Sequence, residues 1–176
     1  KHIDKMNEIA ENGQFIEGII CEHYAPKDSN NIKQDERCFY TRENALIIDT
    51  LRKYIEDNVE GDIFHYCMTP LLVQMTQNVN CILMKGFYKK DGLGAWGGIG
   101  GNDISRITKP IRLEKITWLN SIDVTCFNED SNELIKTDKI YDLDLIYIDP
   151  PYTEAPYSSN YHILNTIIKN KMDAPG

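Results

Sequence analysis

The chain has 176 residues, 41% of them hydrophobic and 26% charged, and a formal net charge of −8. That composition suits one globular domain, and no apolar run approaches the ~20 residues needed to cross a bilayer. The opening residues, Lys-His-Ile-Asp-Lys-Met, lack the apolar core of a signal peptide and include no initiator Met at position 1. Cys21, Cys38, Cys67, Cys81 and Cys126 are scattered and form no C-x-x-C pair, so they read as reduced cytoplasmic thiols rather than a disulfide framework or a zinc site.

Apolar residues at near-helical spacing occupy 2–13 (Ile3, Met6, Ile9) and 15–25 (Phe15, Ile16, Ile19, Ile20). Pro26 and the polar run 27–37 form a loop. Thr41 is placed to cap a helix over 42–57, with Glu43 in its first turn and Leu46, Ile47, Leu51, Tyr54 and Ile55 on its buried face. A second helix covers 62–78, with Pro70 expected to bend or interrupt it. Residues 81–88 suggest a strand. Gly92, Gly94 and Gly97 then satisfy G-x-G-x-x-G, with Glu114 downstream. The context of a dinucleotide site is missing, because Lys89-Lys90-Asp91 separates the glycines from the strand and no amphipathic helix follows. Net acidity argues mildly against nucleic-acid binding, but residues 85–115 carry seven basic against three acidic side chains, compatible either with DNA contact or with a solvated basic loop. Trp96 either touches bases or packs on its own loop.

From Arg112 the pattern turns α/β. A helix is expected to about residue 120, a strand over 122–127 closed by Glu129-Asp130, a short helix or turn over 131–137, a strand over 143–148 and a helix over 158–169. Leu145, Ile146, Tyr147 and Ile148 form a short apolar run of the kind buried in a parallel sheet. Asp149 ends it, and Pro150 and Pro151 stop further pairing. A carboxylate is thereby delivered to the carboxyl end of a strand, where open α/β sheets place ligands. With Tyr152 beside it, the group suits a planar ligand bearing an exocyclic amine.

Asp149-Pro150-Pro151-Tyr152 resembles the catalytic loop of S-adenosylmethionine-dependent amino-methyltransferases. The longer stretch DPPYTEAPYSSNYHILNTI, through Tyr157, Ser158, Tyr161, His162 and Leu164, resembles the N6-adenine DNA methyltransferases of bacterial restriction–modification systems. The segment 38–45 with Ile48, Asp49 and Arg52 is similar to that family's middle region. The resemblance implies an α/β fold, part of a doubly wound Rossmann-like sheet with a mainly helical N-terminal region. It divides the chain into a helical region (1–80), a Gly-rich basic insert and target-recognition element (81–115), and a catalytic α/β part (116–176). It implies that Asp149 and the Pro150 carbonyl accept the amino hydrogens of a flipped adenine, that Pro151 stiffens the loop, and that Tyr152 stacks on the base. Asp130, with Glu129 as the neighbouring candidate, would accept from the cofactor's adenine amine. Lys89, Lys90, Trp96, Arg106, Lys109, Tyr157, Tyr161 and His162 are the DNA-contact candidates; a lone helical His is more often structural.

S-adenosylmethionine is the implied cofactor and double-stranded DNA the implied partner, in the cytoplasm and without a membrane. No Phe-x-Gly-x-Gly loop and no acid for the cofactor ribose are identifiable in residues 1–176. The chain therefore reads as an internal fragment or one part of a split enzyme, whose further partners are the rest of the methyltransferase or a cognate endonuclease. An RNA or guanine amino-methyltransferase, or a non-catalytic DNA-binding or assembly piece, is the alternative.

Overall fold

The computed structural model describes residues 1–82, 86–117, 123–140, 143–150 and 157–172. The chain divides into two compact units, Lys1–Ile116 with Ala155–Gly176, and Thr117–Glu154.

The first unit is mainly helical: α1 (His2–Asn12), α2 (Ile19–His23), α3 (Arg42–Asn58), α4 (Asp62–Asn78), the short α5 (Ile104–Ile107) and, after the interruption, α7 (Tyr157–Lys169). Helix α3 is its organiser. Thr41 caps it, its hydroxyl accepting from the Asn44 N–H at 3.2 Å. Ala45, Ile48, Leu51 and Ile55 are fully buried along one stripe, against Met6, Ile20, Leu71 and Met75 of the same core. Helix α4 runs unbroken over Asp62–Asn78 with Pro70 inside it, so of the bend or interruption expected at Pro70 the interruption does not occur.

One turn of α3 holds two other helices by their ends. The Asp49 carboxylate accepts from the backbone N–H groups of Gly18 (2.8 Å), Ile20 (3.0 Å) and Cys21 (2.9 Å) at the start of α2, where a helix presents unpaired donors and positive potential. A Cβ at Gly18 would lie 2.9 Å from that carboxylate, so only glycine permits the approach. Three residues on, Arg52 donates from Nε to the Ile167 carbonyl at 2.7 Å and from Nη2 to Ile168 at 3.2 Å. It thus places a cation on the acceptor end of α7. Burial pulls the Arg52 guanidinium below its ordinary pKa, with Glu56 acting in the opposite direction. Tyr24 adds a second tie to α7 through Thr166, with hydroxyl oxygens 3.1 Å apart.

The segment expected as one strand over 81–88 is a pair of short strands, β1 (Cys81–Ile82) and β2 (Gly86–Phe87), paired antiparallel. A second hairpin joins β3 (Lys89–Lys90) to β4 (Leu93–Gly94). Its turn is Asp91-Gly92, with φ of 51° and 82°. Two positive φ values are what a tight hairpin turn needs, and Asp-Gly is a pair that tolerates them.

Three buried asparagines fasten this glycine-rich segment to the helices. Asn80 Nδ2 donates to the carbonyls of Cys38 and Ala95, each at 2.8 Å, while its Oδ1 accepts from the Gly97 N–H at 3.1 Å. Asn44 Nδ2 donates to Ile107 and Lys109, and Asn78 Nδ2 to Arg106 and Lys109. Asn7 brackets Leu113 in both directions, at 2.9 and 2.7 Å.

The second unit carries α6 (Ser131–Leu134) and a 3₁₀ turn (Asp138–Ile140). The strands expected at 122–127 and 143–148 are not formed among the described residues. Leu145, Tyr147 and Ile148 are 83%, 84% and 75% exposed, not buried. A buried parallel strand needs hydrogen-bonded neighbours and covered faces, and no other described segment of this unit provides either. Of the helix expected over 112–120, residues 112–117 are non-helical and 118–120 lie outside the described residues.

Four thiols, Cys21, Cys38, Cys67 and Cys81, are buried, and Cys126 is exposed. Desolvation pushes Cys21 up to about 12, helped by Asp49, and Cys38 up to about 12 against the opposing pull of Asn80. The thiolate is the reactive form. At pH 8 an aromatic disulfide reagent is therefore expected to titrate Cys126 rapidly and the other four only after unfolding. Fast reaction of two or more thiols in the native protein would contradict this burial.

Candidate functional site

In the second unit, Asp149 and Pro150 lie on exposed backbone directly after the 145–148 run. Pro151 and Tyr152 fall outside the described residues. Asp130 is the N-cap of α6, its Oδ1 accepting from the Asn132 N–H at 2.8 Å. That contact orients the carboxylate at the exposed end of the 123–130 segment. Glu129 is ion-paired with Lys139, whose ammonium also lies over the Phe127 ring at 5.4 Å. Of the two acids, Asp130 is thus the one without a cation on it among the described ion pairs, and an exposed carboxylate of that kind fits an exocyclic amine donor.

In the first unit the DNA-contact candidates separate into two groups. Lys89 and Lys90 stand exposed on β3, with the Lys89 ammonium 5.2 Å from the Phe87 ring centroid. Lys109 is exposed and opens on a groove of about 450 Å³ shared with Gln74, Gln77, Arg112 and Lys115. Arg112 and Lys115 are already paired there with Glu11 and Asp4.

Trp96 and Arg106, by contrast, are half-buried and tie backbone segments together. The Trp96 indole N–H donates to the Ser29 carbonyl at 2.8 Å. Arg106 Nη1 donates to the carbonyls of Gln77 and Val79, and its Nη2 pairs with Asp103 at 3.3 Å. Their polar atoms are committed to the fold. On α7, the His162 ring packs 5.7 Å from both the Tyr24 and Phe39 rings, and its Nδ1 lies 3.1 Å from the Ser159 carbonyl. That is the structural role of a lone helical histidine. Tyr161 is 43% exposed at a kink, with φ −116° and ψ 15°. Tyr157 begins the helix.

Sequence reasoning missed the asparagine hub. Its only local signal is Asn78-Val79-Asn80, two amides at the junction between a helix and a strand. Among the described residues no cluster of His, Cys, Asp and Glu is arranged to hold a metal ion. No described helix is long and apolar enough to cross a membrane.

Comparison with known proteins places the sequence in one family. The model of the D12 class N6 adenine-specific DNA methyltransferases matches residues 4–175. Among curated proteins, the Type II methyltransferase M.CviAII of Paramecium bursaria Chlorella virus 1 is 27% identical over 174 residues, covering 96% of this chain and 46% of that protein. The modification methylase LlaI of Lactococcus lactis subsp. lactis is 30% identical over 161 residues, 83% of this chain and 24% of that protein. The modification methylase StsI of Streptococcus sanguinis is 44% identical over 133 residues, 73% of this chain and 18% of that protein. The chain thus spans less than half the length of these relatives. No solved structure matches it. With the match running from α1 through the Asp149 segment to the end of α7, the chain belongs to the D12 class of N6 adenine-specific DNA methyltransferases.

Proposed function

We propose that the protein transfers a methyl group from S-adenosylmethionine to the N6 amine of adenine in double-stranded DNA. The observation that carries this reading is the family match over residues 4–175, which includes an exposed carboxylate at Asp149 followed by Pro-Pro-Tyr. The N6 lone pair of adenine is delocalised into the ring, so the amine is a weak nucleophile. Asp149 and the Pro150 carbonyl each accept one amino hydrogen, which favours tetrahedral nitrogen and stabilises the positive charge that grows on attack. The base must leave the duplex to reach this loop, and Tyr152 stacks on it there. The cofactor, when bound, supplies an activated methyl sulfonium, so the chain's own residues need only align the acceptor. Asp130 takes the cofactor's adenine amine, with Glu129 as the neighbouring candidate.

Lys89, Lys90 and Lys109 meet phosphates, and Tyr157 and Tyr161 serve as further contacts beyond the loop. In this reading 81–115 is the target-recognition insert between a helical region and the catalytic part, and the run 143–148, exposed here, pairs into a Rossmann-like sheet when the rest of the enzyme covers it. The strands that complete the sheet, and the glycine-rich cofactor turn, belong to the rest of the enzyme. The setting is the cytoplasm, beside a cognate endonuclease.

The test is nucleoside analysis of DNA treated with labelled S-adenosylmethionine and the methyltransferase that carries this chain. Label is expected in N6-methyladenine. Label in a methylated guanine, or in RNA only, would select the alternative substrates, and no label with correctly folded protein would favour a non-catalytic DNA-binding piece.

A further inference from the structure

Ile99 is 96% exposed, whereas the next most exposed large apolar side chain described in its unit, Val73, is at 51%. Single exposed apolar residues are ordinary. What sets Ile99 apart is the backbone beneath it. It sits between Gly97-Gly98 and Gly100-Gly101, all four with φ between 68° and 87°. The loop is closed by the Gly101 N–H on Gly98 at 3.1 Å, by the Asp103 N–H on Gly97 at 3.0 Å, and by Asn80 Oδ1 on the Gly97 N–H. A Cβ at Gly97 would lie 2.5 Å from Ile104 Cγ1, and one at Gly98 would lie 3.0 Å from the Tyr88 ring. Tyr88 is itself held by its hydroxyl donating to Asp103 at 2.9 Å.

The result is a narrow, fixed tip bearing one branched aliphatic side chain with bare glycines on both sides. The Tyr88 ring that supports it leads straight into the exposed pair Lys89-Lys90. A cationic hairpin beside a thin apolar tip matches duplex DNA, with ammonium groups on the phosphates and the tip in a groove. A β-branched side chain has few rotamers to lose on contact. The apolar group offered by base edges in the major groove is the 5-methyl of thymine.

We infer that Ile99 is a base-reading residue that packs against a thymine 5-methyl in the major groove of the target DNA. The inference rests on the reading that this chain acts on duplex DNA. The experiment uses the complete methyltransferase and duplexes in which each thymine in and beside the site is replaced singly by deoxyuridine, which lacks only that methyl. At one position the wild type is expected to lose about three- to fivefold in affinity, the value of one buried methyl group. Ile99→Ala should lose about as much on thymine and be indifferent to the replacement, while Ile99→Val keeps the discrimination. In parallel, Lys89→Gln with Lys90→Gln should flatten the log–log salt dependence by about 0.9 per lost phosphate contact.

No methyl-sensitive position in the wild type, or an Ile99→Ala variant that still discriminates, overturns the inference. So does an Ile99→Ala loss equal on every duplex, which would mean insertion between base pairs, and so does an unchanged salt slope. Methylation of adenine by wild type with any of these outcomes leaves the catalytic reading standing. Absence of methylation by wild type would strike that reading instead.

Discussion

Asp149→Ala is expected to lower methyl transfer by at least about 10²–10³-fold, the range found when one preorganised charge-stabilising group is removed from an active site. The carboxylate is worth most after the amine has begun to bond carbon, because positive charge is then growing on the nitrogen and its hydrogens are becoming acidic. In the ground state the same contact is a weak hydrogen bond to a neutral amine. An interaction that strengthens in this way raises the turnover number rather than ground-state affinity, so cofactor and DNA dissociation constants should stay near wild type. Asp149→Asn keeps an acceptor oxygen but no charge, and should fall between. Single-turnover rates with saturating DNA isolate the step. A mutant within a fewfold of wild type would remove Asp149 from the mechanism, and a loss confined to affinity would assign it to binding.

Asn80→Ala is expected to be the most damaging substitution outside the loop. It strips the carbonyls of Cys38 and Ala95 of their donor and the Gly97 N–H of its acceptor, around a side chain that itself has no exposure to water. Each buried group left unpaired costs about 1–3 kcal/mol. Three such groups sum to roughly 3–9 kcal/mol, a large part of the ~5–15 kcal/mol that holds a domain together. Chemical denaturation should show the midpoint falling with little change in slope. Hydrogen exchange should accelerate first over 86–107, the segment that Asn80 fastens. Asn80→Asp should fare no better, because a carboxylate cannot donate to either carbonyl. A midpoint shift worth under about 1 kcal/mol would mean water takes over the amide's role.

The helices were legible because their signals are local. Thr41 and the apolar stripe through Leu51 and Ile55 define α3 (Arg42–Asn58) almost to its ends, and α4 and α7 follow the same logic. The asparagine hub was not legible, since its partners at 38, 95 and 97 meet only in the fold and a polar residue leaves no mark on hydrophobic periodicity. The glycine cluster posed the reverse problem. Its spacing imitates a dinucleotide loop, yet Gly92 serves the hairpin turn at φ 82°, Gly94 lies against Cys38 and Gly97 lies against Ile104. At 145–148 the apolar run was legible, but the burial expected of it is not what the structure shows, because burial depends on non-local neighbours that the run itself does not specify. The Asp149 segment was readable as chemistry for another reason: residue types and order alone specify an acid, a fixed carbonyl and an aromatic ring.

The grip of Arg52 and Tyr24 on α7 also bears on how the protein is born. Their partners lie 115 and 142 positions further along the chain, beyond the whole Thr117–Glu154 insertion. A ribosome adding about 5–20 residues per second needs roughly 6–23 s to cover the shorter of those separations. During that interval α3 has been made, but the carbonyls of Ile167 and Ile168 that receive its guanidinium do not yet exist. The helical body stays open on that face, with the groove that will take Ile163 and Ile167 in contact with water. Such a surface is what holdase chaperones recognise. The 117–154 insertion must therefore emerge before the body on both sides of it can close.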